Sequence, residues 1–245
     1  MSPDPPPARM MVDFAKSPQL PLGIALREVA SFKNFIAGQN GEAVAWLRRA
    51  IGGADERIFF LWGESGAGKS HLLQAVCREI TALSEPAAYL PLAQLPEVSP
   101  TMLNGMDALG AVCVDDVETV AGNAAWEEAL FHLFNRIRDN NKMLVVAGRS
   151  APAQLPLRLA DLRSRLGWGA VCQIKALDDD GKMQAMQQRA RGRGLELPDD
   201  VAAFLLRHYR RDTGNLFALL DRLDETSLIA QRRLTIPFVK TIIDQ

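Results

Sequence analysis

The chain has 245 residues, 48% of them hydrophobic and 23% charged, a balance that excludes an intrinsically disordered chain. Its 28 Lys and Arg residues nearly match its 29 Asp and Glu residues, so no overall basic excess drives binding to nucleic acid or to a membrane surface. Three widely spaced cysteines and three histidines argue against a disulfide framework and a zinc site. This cysteine usage favours a reducing compartment, so we expect a cytoplasmic protein, and no apolar run reaches the roughly 20 residues of a membrane-spanning helix.

Residues 1–26 are predicted to form a flexible N-terminal segment, because prolines recur near its start and resist helix formation. Within it, Pro18 and Pro21 keep a short apolar stretch extended, which exposes Leu20 and Leu22 as anchors for an apolar pocket. The segment lacks the apolar core of a signal peptide.

An α/β domain is predicted for residues 27–177, where short apolar runs alternate with helical patterns. The expected strands are residues 57–62, 87–92, 110–114, 142–147 and 170–174, and the expected helices are residues 42–51, 70–83 and 126–137. Strands that alternate with helices form parallel β/α units, so we expect a doubly wound parallel sheet.

A small all-helical domain is predicted for residues 178–245, where the strand patterns cease. The run from Asp178 to Gly181 is typical of a turn that begins a helix. Pro198 and Pro237 each lie where a first helical turn is expected, because proline is tolerated there.

A complete phosphate-binding motif lies between the first predicted strand and the helix that follows it. Residues 63–70, Gly-Glu-Ser-Gly-Ala-Gly-Lys-Ser, match G-x-x-x-x-G-K-[ST]. Glycines let the backbone aim its N–H groups at phosphate oxygens, and the helix N-terminus adds a favourable dipole. Lys69 is expected to neutralise the β- and γ-phosphates, and Ser70 to hold Mg²⁺ through its hydroxyl. The predicted nucleotide-binding residues are Gly63, Glu64, Ser65, Gly66, Ala67, Gly68, Lys69, Ser70 and His71.

Two carboxylates, Asp115 and Asp116, follow the apolar strand that contains Val112. Ligands of open α/β sheets bind at the carboxyl ends of the strands. We therefore expect Asp115 to associate with the metal, through water, and Asp116 to polarise an attacking water. A P-loop α/β domain followed by a helical lid resembles the AAA+ class, whose cofactor is ADP or ATP with Mg²⁺.

Four segments resemble the family of the bacterial replication initiator DnaA. They are the P-loop and its continuation (68–75), a box on the adenine side of the nucleotide (32–40), the acidic strand end (115–122), and the box that carries the arginine finger of the family (162–169). The resemblance extends from about residue 30 to the C-terminus.

Two expected absences separate the chain from the initiators themselves. It ends after the helical lid, which leaves no room for the DNA-reading domain of the family. The stretch between the strands of Tyr89 and Val112 is broken by prolines and is too short for the helix pair with which initiators engage single strands. What remains, including residues 230–240, resembles the Hda family of DnaA-homologous regulators, which inactivate the initiator.

The resemblance implies that Arg165 is an arginine finger, with Arg163 able to share or replace that role. A guanidinium is always charged and presents a planar fork of donors to the charge on a transferring phosphate. The partner implied is ATP-bound DnaA, whose active site Arg165 would complete so that the ATP is hydrolysed there. The nucleotide of this chain, ADP by resemblance, then holds its two domains in an arrangement competent for docking.

The resemblance also implies a second partner. Gln19, Leu20 and Leu22 resemble the peptide by which many replication proteins hold the sliding clamp, the β subunit of DNA polymerase III. A monomer or a nucleotide-dependent homodimer is expected. A basic stretch on the lid is expected to be a solvated face, with a weak DNA contact as the alternative. Its members are Arg189, Arg191, Arg193, Arg207, Arg210 and Arg211.

Two departures from the family pattern predict weak or no intrinsic ATPase activity. Arg149 stands about where the family has an acidic or small polar sensor, and Gly214 is nearest to the position of a lid sensor arginine, for which Arg210 or Arg211 is a candidate substitute. Two other functions remain open. One is a nucleotide-dependent adaptor or loader that delivers a replication protein to DNA, and the other is a self-contained ATPase motor, for which Asp116 provides the acid.

Overall fold

The computed structural model describes residues 30–53, 56–95, 98–209, 213–230 and 233–243. The predicted clamp-binding residues Gln19, Leu20 and Leu22 lie outside these described residues, and so do Arg210 and Arg211. Among the described residues, no helix combines the length and the apolar character that crossing a bilayer requires.

A five-stranded parallel sheet forms the centre of the first domain, which confirms the predicted α/β class. Its strands are β1 (Ile58–Trp62), β2 (Ala87–Pro91), β3 (Ala111–Asp115), β4 (Met143–Gly148) and β5 (Ala170–Gln173). They lie in the order β2-β3-β4-β1-β5, so β1 pairs with both β4 and β5. Every residue of β3 and β4 is buried, as expected for central strands of a parallel sheet that is covered on both faces.

Helices cover both faces of this sheet. They are α1 (Gly41–Ile51), α2 (Lys69–Ala82), α3 (Ala124–Asp139) and α4 (Ala160–Leu166). Side chains of α1 and α2 form one core with Phe59, whereas α3 and α4 form a second core with Phe60. The two phenylalanines face opposite sides of the sheet because side chains alternate along a strand.

Four further helices form the predicted all-helical lid domain. They are α5 (Asp179–Gly192), α6 (Asp199–His208), α7 (Thr213–Ala230) and α8 (Ile236–Ile243). Asp178 caps α5, because its Oδ1 accepts the N–H of Gly181 at 2.8 Å. Pro198 immediately precedes α6, and Pro237 lies in the first turn of α8. A separate core, built mainly of leucine side chains, packs these helices together.

Parallel pairing brings the carboxyl ends of the central strands to one edge of the sheet. Trp62 pairs with Gly148, so the P-loop after β1 and Arg149 after β4 lie next to each other. Asp115, the last residue of β3, and Asp116 lie at the same edge of the sheet. At the opposite edge, Ala170 at the start of β5 pairs with Phe59. The turn between α4 and β5 therefore lies at the other end of the sheet from the P-loop.

The turn that leads into β5 depends on Gly169, because a Cβ there would overlap the carbonyl oxygen of Ile58. We expect Gly169→Ala to lower the free energy of unfolding by about 1–3 kcal/mol, measured by urea denaturation. Gly41→Ala is the matched control, since a Cβ on this first residue of α1 meets nothing within 4 Å and alanine favours a helix. Equal stability of the two variants would contradict the steric role of Gly169.

Candidate functional site

The predicted phosphate-binding loop joins β1 to α2, and glycines shape it. Gly66 and Gly68 have φ angles of 76° and 99°, in the left-handed region that favours glycine. A Cβ on Gly68 would lie 2.8 Å from the ring of Phe35. The loop therefore packs closely against the segment that precedes α1.

Lys69 lies inside this loop and is 8% exposed. Its Nζ donates hydrogen bonds to the carbonyl oxygens of Gly63 at 2.7 Å and Glu64 at 2.9 Å, so these two residues of the predicted set hold the lysine. Burial lowers the pKa of Lys69, and the carboxylates that follow β3 oppose this shift. An anion brought to the lysine would further favour its charged form.

His71 is the last residue of the predicted nucleotide-binding set. Its ring links α2 to the segment before α1. Its Nε2 lies 2.9 Å from the carbonyl oxygen of Ser31 and 3.1 Å from Oδ1 of Asn34, and its ring centre lies 5.4 Å from that of Phe35. Burial lowers the pKa of His71, which favours a neutral ring; a proton on Nε2 would be donated to these oxygens, whereas a bare Nε2 would accept the N–H of Ser31 at 3.3 Å. Asn34 and Phe35 are thereby placed beside the loop, where both line the cleft described below.

Asp115 ends β3 as a buried carboxylate, 1% exposed. Tyr89 donates its hydroxyl proton to Oδ2 of Asp115 at 2.8 Å, and the backbone N–H of Asp116 donates to Oδ1 at 3.0 Å. The side chain of Ser70 is close enough to the same tyrosine hydroxyl to lower the pKa of Tyr89, against the larger effects of burial and Asp115. Burial and the charge of Asp115 raise the pKa of Tyr89, which keeps it a proton donor. No pattern in the sequence indicates Tyr89 as a residue of the site.

The two residues predicted to hold a metal, Ser70 and Asp115, are therefore neighbours across α2 and β3. A hydroxyl and a carboxylate are hard oxygen donors of the kind that Mg²⁺ prefers, and water and substrate phosphates usually supply its remaining ligands. In the described ranges, no group of three His, Cys, Asp or Glu side chains is placed to bind a metal ion by itself. The donor set fits a Mg²⁺ ion that is shared with a nucleotide phosphate.

Asp116, the predicted catalytic acid, lines a cleft beside the loop. Its φ angle of 55° is uncommon for a residue other than glycine and turns the chain directly after β3. Burial and the carboxylates of Asp115 and Glu118 raise the pKa of Asp116, while Arg149 and Lys69 oppose the shift. A carboxylate with a raised pKa in a cleft suits proton transfer.

Arg149 follows β4 and lines the same cleft. Its Nε lies 3.2 Å from Oε1 of Glu118, and its backbone N–H donates to Oε2 of Glu118 at 3.3 Å. A cation paired with an acid therefore stands where the family resemblance predicts an acidic or small polar sensor. The sequence did not reveal Glu118 as the partner, because the two residues are 31 positions apart.

The cleft has a volume of about 330 Å³, within the range of small-ligand sites. Residues 65–71 of the loop and α2 line it on the α/β domain, and Thr213, Gly214 and Phe217 of α7 line it on the lid. Gly214 therefore lies at the cleft, near the position where the family pattern predicts an arginine.

Arg165, the predicted arginine finger, lies on α4 toward the other end of the sheet from this cleft. It is half-buried, and its guanidinium carbon lies 4.6 Å from the ring centre of Trp168. Arg163, the predicted substitute, instead donates from Nη1 to the carbonyl oxygen of Leu157 at 3.4 Å. The structure thus gathers the predicted nucleotide-binding residues and both aspartates at one edge and separates Arg165 from them.

A buried glutamate, Glu127, fixes the start of α4 and was not among the sequence predictions. It is 1% exposed, and its carboxylate accepts the backbone N–H groups of Gly122 at 2.6 Å, Arg158 at 3.2 Å and Leu159 at 2.7 Å. Leu159 is the N-cap residue of α4, so this bond fixes where the helix of Arg165 begins. Burial raises the pKa of Glu127, but the three N–H donors outweigh it and leave the pKa below its usual value.

Part of the predicted basic stretch is engaged inside the lid. Nη2 of Arg189 lies 3.1 Å from Oδ1 of Asp221, and Nη1 of Arg193 lies 2.9 Å from the same atom. The guanidinium of Arg189 also lies 4.9 Å from the ring centre of Phe217, which lines the cleft. The expected solvated face is wrong for Arg189 and Arg193, whose side chains are 14% and 22% exposed.

A P-loop beside an acidic strand end, adjoined by a separate helical domain, defines a nucleotide-binding protein of the AAA+ class. The chain belongs to the family of bacterial DnaA ATPase domains, whose sequence model matches residues 26–90 and 101–173. The model of the Hda lid domain matches residues 179–243. The chain is thus an Hda-like, DnaA-homologous AAA+ protein.

Solved structures share this fold at low sequence identity. Domain III of the Thermotoga maritima replication initiation protein DnaA superposes with a TM-score of 0.78 at 20% identity, over 88% of this chain and 95% of that chain. AMPPCP-bound DnaA from Aquifex aeolicus gives a TM-score of 0.64 at 24% identity, over 80% and 66% of the two chains. The Thermotoga maritima RuvB Holliday junction branch migration motor gives a TM-score of 0.66 at 18% identity, over 88% of this chain and 71% of that chain.

We expect Glu127→Gln to destabilise the protein by about 1–3 kcal/mol near neutral pH, because an amide replaces a carboxylate that accepts three N–H groups. The folded pKa of Glu127 is depressed, so its stabilisation is present above the unfolded pKa and is lost as the pH falls through the folded value. Urea denaturation between about pH 7 and pH 3 should therefore show a difference from wild type that shrinks with acidity.

Glu128→Gln is the matched control for this prediction, since the side chain of Glu128 is 72% exposed on the same helix. We expect its free energy of unfolding to stay close to the wild-type value. A loss of stability in Glu127→Gln that did not vary with pH would contradict the proposed charge-dependent anchor.

Proposed function

We propose that this protein is a negative regulator of chromosomal replication initiation. With bound nucleotide, ADP in our proposal, and with the sliding clamp loaded on DNA, it stimulates the hydrolysis of ATP by the initiator DnaA. The chain supplies an arginine finger, Arg165, to the nucleotide that DnaA holds. Membership of the DnaA ATPase family and the Hda-like lid support this proposal.

The place of Arg165 is the observation that carries the proposal. It lies on α4, toward the amino ends of the strands, whereas the cleft of the same chain lies at their carboxyl ends. Arg165 is therefore suited to contact a nucleotide that another molecule holds, rather than a nucleotide in the cleft of its own chain. An arginine finger supplied in this way raises the rate of phosphoryl transfer by about 10³–10⁵.

The cleft is proposed to hold an adenine nucleotide with Mg²⁺. The backbone of residues 63–70 would receive the phosphates, and Asn34 and Phe35 would lie on the adenine side. Ser70 and Asp115 would hold Mg²⁺, in part through water, and the ion would neutralise phosphate charge. The fold is shared with a DnaA bound to AMPPCP, which supports adenine nucleotides as the ligand class.

We propose weak or no ATPase activity for this chain alone. Arg149 is paired with Glu118 at the end of β4, and Gly214 brings no side chain to the lid side of the cleft. The position and raised pKa of Asp116 are the observations that favour a second candidate function, a self-contained ATPase motor. Hydrolysis by the isolated protein separates the two functions.

Three further parts of the proposal concern partners and location. Gln19, Leu20 and Leu22 are proposed to bind the β clamp, and this assignment depends on their sequence. Exposed arginines of the lid, such as Arg191 and Arg207, are proposed to make at most a weak DNA contact. We propose a cytoplasmic protein that is a monomer or a nucleotide-dependent homodimer.

We expect stimulation of DnaA only when this protein and clamp-loaded DNA are both present. ATP hydrolysis by DnaA is measured with this protein, with clamp-loaded DNA, with both and with neither. Arg165→Ala should return the rate to that of DnaA alone, because the finger supplies the charge that stabilises the transition state. A triple alanine variant of Gln19, Leu20 and Leu22 should lose stimulation because it cannot reach the clamp.

Arg163→Ala is the matched control on the same helix, and we expect it to keep stimulation because Nη1 of Arg163 binds the carbonyl oxygen of Leu157. Full stimulation by Arg165→Ala would overturn the finger assignment. Rapid hydrolysis by this protein alone would favour the motor, and tight clamp-independent binding to duplex DNA would favour an adaptor or loader.

Lys69→Met is expected to weaken binding of ADP at least about tenfold, because it removes a charged donor from the phosphate loop. Isothermal titration calorimetry in the presence of Mg²⁺ gives the dissociation constant. Lys240→Met is the control, since Lys240 is an exposed lysine on α8 that does not line the cleft. Unchanged ADP binding by Lys69→Met would refute the assignment of the phosphate loop.

A further inference from the structure

Trp168 lies in the turn between α4 and β5 and exposes a large aromatic side chain. It is 63% exposed, against 40% for Trp46 on α1. A single exposed apolar residue needs no explanation of its own. Trp168 differs from such a residue because charged side chains, among them the proposed finger, contact its ring.

Two arginines contact the ring of Trp168. The guanidinium carbon of Arg165 lies 4.6 Å from the ring centre, and that of Arg138 lies 5.3 Å from it. Both distances fall within the range of about 6 Å for cation–π attraction. Arg138 is also held by Asp139, whose Oδ1 accepts from Nε at 3.1 Å and from Nη2 at 2.9 Å. Within the described part of the chain, no carboxylate forms an ion pair with Arg165, so the indole is the contact that orients its guanidinium.

Contact with a ring face suits an arginine that has to bind phosphate. The attraction uses the positive charge of the guanidinium and gives its N–H groups no oxygen acceptor, so these donors stay available. A carboxylate partner would occupy two of those donors and would offset the charge. Trp168 therefore restrains Arg165 without competing with a phosphate for its donors.

The backbone of Trp168 is itself held from two sides. Its N–H donates to the carbonyl oxygen of Arg165 at 3.0 Å, which ties the turn to α4. The next residue, Gly169, packs against Ile58 at the start of β1 so closely that a Cβ would not fit. The turn that carries the ring is therefore fixed relative to both the finger helix and the sheet.

We propose that Trp168 is a positioning residue for Arg165, whose ring holds the guanidinium in the orientation that reaches the nucleotide of the partner. This inference rests on the finger role in the proposed function. A group that is ordered before the reaction lowers the barrier of the step after docking. Trp168 thus acts on the maximal stimulated rate and not on the affinity for the partner.

The experiment measures ATP hydrolysis by DnaA with clamp-loaded DNA over a range of concentrations of the full-length variants. Trp168→Leu keeps apolar bulk but removes the aromatic face, and we expect it to lower the maximal rate about threefold to tenfold with a change below about twofold in the half-maximal concentration. Trp168→Phe keeps an aromatic face and should recover most of the rate. Trp46→Leu is the matched control, an exposed tryptophan on α1, and should stimulate fully.

Thermal unfolding of both Trp168 variants is measured in parallel, and Trp168→Phe keeps the test valid if Trp168→Leu unfolds at a lower temperature. Full maximal rates in both variants, with no stimulation by Arg165→Ala, would overturn the positioning role and leave the proposed function intact. An equal loss in Trp168→Phe and Trp168→Leu, or a change in the half-maximal concentration alone, would also overturn it. Retained stimulation by Arg165→Ala would remove the proposed function and this inference together.

Discussion

The parallel register of β1 with its two neighbours is the constraint on which both candidate sites depend. The pairing of Trp62 with Gly148 brings the phosphate loop to the end of β4, and the pairing of Phe59 with Ala170 fixes the turn of Trp168 at the opposite end. One strand of five residues thus sets the distance between the cleft and the finger. A slip of one residue would exchange the two faces of β1, so the separate cores on either side of the sheet maintain this register.

Charges of both signs lie close together in and beside the cleft. Asp115, Asp116 and Glu118 lie near Lys69 and Arg149, and their charges act on one another. Lys69 donates to two loop carbonyl oxygens, and Arg149 pairs with Glu118, so both cations are engaged. Buried Lys69 requires such partners, whereas the side chain of Arg149 is 73% exposed and its pair with Glu118 is open to water. The same arrangement places Arg149 near the acids that would have to activate water, which supports the proposed weak or absent ATPase activity.

The sequence predicted those parts of the site whose residues adjoin in the chain. The loop from Gly63 to Ser70 and the acidic end of β3 are local patterns, and the structure brings them to one edge as expected for parallel strands. Tyr89 was missed because its partner Asp115 is 26 residues away and no local pattern joins them. The helix α4 was not predicted either, since seven residues are too few to show a helical period.

Helical periodicity indicates the burial of Glu127, but it does not indicate the partners of the lid arginines. Glu127 shares a face of α3 with Leu130 and Phe134. A carboxylate on such an apolar face is buried only where hydrogen-bond donors compensate for its lost contact with water. That pattern signals a buried carboxylate but does not identify its donors, which lie up to 32 residues away. The lid arginines were expected on a solvated face because the sequence does not show that Asp221 of α7 packs against Arg189 of α5.

Hydrogen bonds near the cleft hold the linker before the lid and join the lid to the α/β domain. Buried Asn40 joins the adenine-side segment to the linker before the lid, since its side chain exchanges hydrogen bonds of 2.9 Å and 2.8 Å with the backbone of Lys175. Gln188 of the lid donates to the carbonyl oxygen of Lys33 at 3.4 Å. A ligand that touches both the loop and α7 favours the arrangement in which the domains meet, through its differential affinity for that state. In the proposed function this effect lasts only while the ligand stays bound, so slow turnover in this chain and fast turnover in its partner serve the same regulation.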